Sequence, residues 1–235
     1  MIQEMDLMEI FYWFHRHPEL SYEEYDTTAQ IKKLLKAADV KILPIPMETG
    51  LIAEVKGEKD GPLQALRCDI DALPITELTD LPYASECPGK MHACGHDGHT
   101  AMLLGAAQLL MRHRQELSGT VKLVFQPDEE GFTGAKSMLA AGVLQDPSPS
   151  EALALHVHSG TPSGTVLCGS GTFMAGCTLF RITVRGKGCH GAMPETGVDP
   201  INIAAHIYLS LQELTAREIS AKKPAVVTVG RVPGG

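Results

Sequence analysis

At 235 residues the chain has room for one large or two modest domains, and its 44% hydrophobic content with mean hydropathy near zero marks an ordinary globular composition rather than a disordered one. A formal charge of −8, with no stretch that mixes clustered Lys/Arg with aromatics, excludes a general nucleic-acid binder and leaves small molecules or protein as partners.

The opening stretch, MIQEMDLMEIFYWFHRHPEL, lacks a basic leader, and its acids interrupt any long apolar run. The expectation is a cytoplasmic protein with neither signal peptide nor membrane-spanning helix. Six cysteines (Cys68, Cys87, Cys94, Cys168, Cys177, Cys189) are dispersed, so most are expected to be buried thiols rather than a disulfide framework. In SYEEYDTTAQIKKLLKAA, residues 21–38, Ser21 stands three residues before Glu24 as a candidate capping box, and Ile31, Leu34, Leu35 and Ala38 share one helical face. Short β-type runs bounded by Gly, Pro and charges follow at 51–55, 63–67, 121–125 and 152–157. Helical patterns at 101–112 and 135–141 lie between them, giving the β/α alternation of an α/β layer fold. From about Gly176 the pattern changes to a strand (TLFRITVRG), a Gly/Pro-rich loop, a long helix (PINIAAHIYLSLQELTARE) and another strand (AVVTVGRV). Residues 1–175 are therefore read as one domain and 176–235 as a second, α+β domain. Its ending on Pro233-Gly234-Gly235, a turn signal directly after a strand, predicts a domain cut short.

The densest chemistry is MHACGHDGHT at 91–100, where three imidazoles (His92, His96, His99), the Cys94 thiol and the Asp97 carboxylate precede a helix. Imidazole and thiolate are good ligands for zinc-like ions, and the glycines let the loop fold closely around one; a polar loop whose histidines cap the helix is the alternative. The strand at 121–125 delivers Asp128, Glu129 and Glu130 just beyond its C-terminal end, where α/β folds place their sites. Adjacent carboxylates repel and can be held by a cation, or divide labour between ligand and general base; a solvated acidic turn is the bland reading. Asp69 and Asp71 alternate along a strand end and can orient ligand imidazoles, and His156 ends an apolar strand, either as a ligand or as a satisfied core residue. A GxGxxG match at Gly186–Gly191 is followed by Met193-Pro194 instead of a helix start, Gly131–Ser137 lacks the spacing of a phosphate loop, and no Gly-x-Ser-x-Gly elbow occurs.

Six segments in chain order, HRHPELSYEE, LRCDIDALPI, MHACGHDGHTAMLLGAA, FQPDEEGFTGAKSML, ALHV and GKGCHGAMPETGVDPI, resemble the metallopeptidase family of aminoacylases, hippurate hydrolases and indole-acetyl-amino-acid hydrolases. The resemblance implies an α/β fold: a mixed-sheet metal-hydrolase catalytic domain carrying an inserted α+β lid and dimerisation domain, both incomplete here. It implies that Cys94 bridges two divalent metal ions, with His96 and His156 completing the ligands of one and Glu130 holding the other. Glu129 would be the general base, Asp71 a carboxylate orienting a ligand, and His190 a group that reaches across a homodimer to stabilise the developing oxyanion. Zinc or manganese is implied, with cobalt or nickel compatible, and the substrate is an N-acyl amino acid. Relatives in that family carry a second half that supplies one more His ligand, and His15, His17, His113 and His206 are not expected to reach the site. A non-catalytic metal-binding or dimerising fragment is the competing reading.

Overall fold

The computed structural model describes residues 6–145 and 147–234. The first five residues of the opening stretch, and Gly235 of the final turn, lie outside the described residues. Among the described residues no helix is long and apolar enough to cross a membrane. The chain divides into two compact units, Met1–Thr165 and Val166–Gly235.

The first unit runs α1 (Leu7–Arg16), α2 (Tyr25–Ala37), β1 (Lys41–Leu43), β2 (Leu51–Lys56), β3 (Lys59–Asp69), α3 (His96–Arg112), β4 (Ser118–Gln126), α4 (Gly134–Ala140) and β5 (Glu151–Ala154). Its five strands form one mixed sheet in the order β1-β2-β4-β3-β5, with β1/β2 and β2/β4 antiparallel and β3/β4 and β3/β5 parallel. Strand alternation sorts the core. Leu51, Ala53 and Val55 of β2 and Val121, Leu123 and Phe125 of β4 join Phe14, Ile31, Leu35 and Leu104 of α1, α2 and α3, whereas Ile52 and Val124 join Met138 of α4 and Val143. Each such large side chain taken fully from water contributes about 1.5–3 kcal/mol, which fixes the helices on the sheet. The carboxyl ends of the three parallel strands β3, β4 and β5 therefore lead into 69–71, 126–130 and 155–157, the segments that carry candidate site residues.

Several expectations change. The Ser21/Glu24 capping box does not form: α2 starts at Tyr25, and Glu24 offers no cap hydrogen bond. The carboxylate of Glu19 accepts from the N–H groups of Asp26 (3.1 Å) and Thr27 (2.7 Å) instead, because Ser21 and Glu24 bind partners distant in sequence. Helix α3 begins at His96, five residues before the apolar pattern at 101, since its first turn is built of polar site residues that hide the periodicity. Of the cysteines only Cys68 is buried; all six are free, and Cys168, Cys177 and Cys189 are exposed.

The second unit holds a 3₁₀ turn (Pro194–Thr196) and α5 (Pro200–Glu213), which Asp199 caps through Ile201 and Asn202 N–H, followed by a π turn (Leu214–Glu218). The runs TLFRITVRG and AVVTVGRV form no strand; the one pairing among this unit's described residues is the isolated bridge Lys187–Val198. A β-rich sequence becomes a strand only when a neighbour accepts and donates its ladder hydrogen bonds, and these two segments have none among the described residues.

Candidate metal centre

The polar residues of 91–99 are sorted to different surroundings. Gly95 lies at φ +84°, closing the loop onto the first turn of α3, and a Cβ there would strike Val157 Cγ2 at 2.4 Å. That turn presents His96, whose Nδ1 donates to Asp71 at both the backbone oxygen (2.9 Å) and Oδ1 (3.2 Å). The other oxygen of Asp71 accepts from Glu130 N–H (2.9 Å) and Ser21 Oγ (2.8 Å). One buried carboxylate thus ties together two candidate ligands from two elements.

His96 Nε2 is left facing Asp69 Oδ2 at 3.6 Å, Glu129 Oε2 at 3.9 Å and Glu130 Oε1 at 3.9 Å. Beside it, Cys94 Sγ lies 3.6 Å from His156 Nε2, while His156 Nδ1 donates to the Val157 carbonyl at 2.6 Å. Two overlapping groups result, Cys94/His96/His156 and His96/Glu129/Glu130, each with its ligand atoms within 4.8 Å of one another. His156 is exposed, two residues beyond the end of β5, which removes its reading as a core histidine.

The acid turn after β4 is held through its backbone and the Asp128 side chain. Asp128 adopts φ +50°, its N–H donates to Glu24 Oε1 at 2.9 Å, and its carboxylate accepts from Thr133 N–H (3.0 Å) and Oγ1 (2.5 Å). Gly134 is required because a Cβ would lie 1.7 Å from the Pro127 carbonyl oxygen. Tyr22 hydroxyl adds hydrogen bonds to Thr133 and Ser137, so the segment Glu19–Glu24 braces both Asp71 and the glutamate turn.

The electrostatics of the centre are those of a cation site. Burial and the neighbouring carboxylates of Glu130, Glu129 and Asp69 push the Cys94 thiol up to about 12. Burial opposes charging of the His96 ring, yet Asp71, Asp69 and Glu130 outweigh it and raise its pKa. Burial likewise works against ionised Asp71, but hydrogen bonds from His96, Glu130 N–H and Ser21 hold it below the ordinary carboxylate range. Glu129 is raised by burial and by Asp69 and Glu130, against the opposing His96, the direction in which a general base is tuned. His96 Nε2 and Glu130 Oε1 are buried with no hydrogen-bond partner, an arrangement costly for polar atoms unless a ligand satisfies them. Thiol, imidazole and carboxylate donors converging there fit a divalent cation.

The remaining polar residues of the cluster go elsewhere. Asp97 Oδ2 meets His15 Nδ1 at 2.5 Å, and His15 Nε2 reaches Glu77 Oε1 at 3.2 Å, so His15, set aside from sequence, buttresses the residue next to His96. His17 stacks on Trp13, and His113 pairs with Glu116 at the surface. His92 is buried with both ring nitrogens unpartnered and is pushed down to about 4 by burial. In the second unit His190 is exposed, its Nδ1 accepting from Ala192 N–H at 3.1 Å, and His206 lies on α5. The polar run HPELSYEE between two helices was the available signal for the brace, but its partners lie 50 to 115 residues away.

The sequence pattern of the family described as peptidase family M20/M25/M40 matches residues 65–235. An N-acetylcysteine deacetylase of Bacillus subtilis is 46% identical over 222 residues, covering 94% of this chain and 58% of that protein. The IAA-amino acid hydrolase ILR1-like 2 of Arabidopsis thaliana is 43% identical over 235 residues, covering 97% of this chain and 53% of that protein. Among solved structures, the Bacillus subtilis YXEP protein, a dinuclear metal-binding peptidase of the M20 family, is 48% identical with a TM-score of 0.65, covering 66% of this chain and 43% of that one. The chain thus spans little more than half the length of these curated relatives.

Proposed function

This chain belongs to peptidase family M20/M25/M40, and we propose that it contributes the larger part of the active site of a two-metal amidohydrolase that cleaves the amide bond of N-acyl amino acids. The observation that carries this reading is the pair of buried, unpartnered atoms His96 Nε2 and Glu130 Oε1, set among Cys94, His156 and Glu129. Cys94, His96 and His156 would hold one ion, and Cys94 with Glu130 the other. The donor set suits zinc, with manganese, cobalt or nickel also compatible. When bound, the ions supply Lewis-acid polarisation of the amide carbonyl and a lowered pKa for water.

The residues of the chain do the rest. Asp71 fixes the His96 ring with Nδ1 protonated and Nε2 free, and the same carboxylate holds the Glu130 backbone. Glu129, partly exposed and raised in pKa, takes the proton of the attacking water and returns it to the leaving nitrogen. His190, assigned by family resemblance, would act from a second copy of the chain across a homodimer, donating to the carbonyl oxygen as negative charge develops there. The second unit would begin a lid and homodimerisation domain; in its support, α5 exposes Ile201, Ile203, Tyr208 and Leu209. The free cysteines, three of them exposed, suit a cytoplasmic location.

The substrate class rests on what the two curated relatives have in common, an amide joining an acyl group to an amino acid. The test is hydrolysis of a panel of N-acetyl, N-benzoyl and N-indoleacetyl amino acids by the complete protein, with metal content measured alongside. Cys94→Ser is expected to lose both metal and turnover, since a hydroxyl cannot replace a shared thiolate. Unchanged metal content in that variant would remove Cys94 from the centre.

A further inference from the structure

Between the two histidines that face the centre stands a third, His99, whose ring lies 5.3 Å from that of His96 and 4.6 Å from that of His156. Asp69, His96 and His99 could themselves be counted as a ligand group by distance. Hydrogen bonding decides otherwise. Val157 N–H donates to His99 Nε2 at 2.9 Å, so that nitrogen is unprotonated and occupied. Nδ1 then carries the proton and donates to Asp69 Oδ1 at 2.5 Å, while Asp69 Oδ2 accepts from Arg67 Nη1 at 2.8 Å.

The held residue, Val157, is the one whose carbonyl accepts from His156 Nδ1. The last ladder pairing of β5 is Arg67 with Ala154, so no strand pairing among the described residues restrains residues 155–157. We infer that His99 is a positioning residue and not a ligand: backed by Asp69, it anchors Val157 and so sets the ring of His156 with Nε2 toward Cys94. The inference rests on the metal centre proposed above.

The probe is zinc added to this chain. Histidine ring ¹⁵N spectra are expected to show His99 in its Nδ1–H form before and after zinc, while Nε2 of His96 and His156 shifts. Two substitutions separate the contacts. H99Q places an amide oxygen near the Nε2 position and keeps the acceptor for Val157, whereas H99N keeps an N–H for Asp69 and loses that acceptor. H99N is expected to weaken zinc binding by about 10- to 100-fold, and H99Q to bind close to the unsubstituted chain. A merely structural role would lower melting temperature and affinity together in both variants. Zinc that perturbs neither His96 nor His156 in the unsubstituted chain would sink the metal reading, and this inference with it. Zinc that binds there but shifts His99 Nε2, or an H99N variant that binds as tightly as the parent, overturns the inference alone.

Discussion

The two turns that meet at the centre are built on opposite principles. The turn at 91–99 is specified mainly by side chains: His96 goes to Asp71, His99 to Asp69 and Asp97 to His15, with a single positive φ, at Gly95, closing the loop. The turn at 127–134 is specified by backbone: a positive φ at Asp128, an N–H held by Glu24 and a glycine where a Cβ has no room. The difference teaches where each can be changed. In the first, one residue, His96, serves both chemistry and scaffold through its two ring nitrogens; in the second, Glu129 and Glu130 project from a frame that they do not themselves hold by their side chains.

If that contrast is right, the glutamates can be replaced without collapse of their turn. In the complete protein, Glu129→Gln is expected to keep its metal and lose turnover by about 10²- to 10⁴-fold, the contribution typical of a general base. Glu130→Gln is expected to lose metal from the second site. Turnover and metal content measured side by side decide the matter. Near-normal turnover in Glu129→Gln would end its assignment as the base.

The frame should respond the other way. Gly134→Ala forces a methyl to within 1.7 Å of the Pro127 carbonyl, and since a backbone oxygen cannot swing aside, a destabilisation of about 1–3 kcal/mol is expected from overpacking. Denaturant melts of the apo chain read this directly. A neutral result would show that the turn is held by its side chains after all.

Much of this was legible in the sequence, for reasons visible in particular elements. Strands β2 and β4 fall within three residues of the short β-type runs at 51–55 and 121–125, because buried strands in a layered fold leave an apolar pattern. Cys94, His96, Glu129, Glu130 and Asp71 are brought together, and His156 joins them from the end of β5. What the sequence hid lay in other long-range contacts. Ser21 and Glu24 matched a capping box but serve Asp71 and Asp128, and His15 looked like a helix-face residue until α1 packed beside α3. TLFRITVRG carries the same β-type residues as β4, yet strand content needs a partner that spacing alone does not supply.

The smallest expected effect tests how the side-chain turn is buttressed. His15 sits between Asp97 and Glu77, and the Asp97 hydrogen bond, opposed by burial and assisted by Glu77, raises its pKa above the ordinary 6.5. His92, the other ring nearby, is pushed down to about 4 and stays neutral across the same range. A histidine whose pKa is higher folded than unfolded contributes stability that is fully present below the unfolded value and is lost as pH rises through the folded one. The stabilisation from the His15 charge is therefore complete below about pH 6.5 and fades above it. His15→Gln removes the titration while retaining a polar amide, so the melting temperature of the unsubstituted chain should exceed that of the variant most at pH 6, with the gap narrowing toward pH 9. A gap that stays constant across that range would mean that His15 holds Asp97 as a neutral ring, and that the 91–99 turn relies on hydrogen-bond geometry rather than on charge.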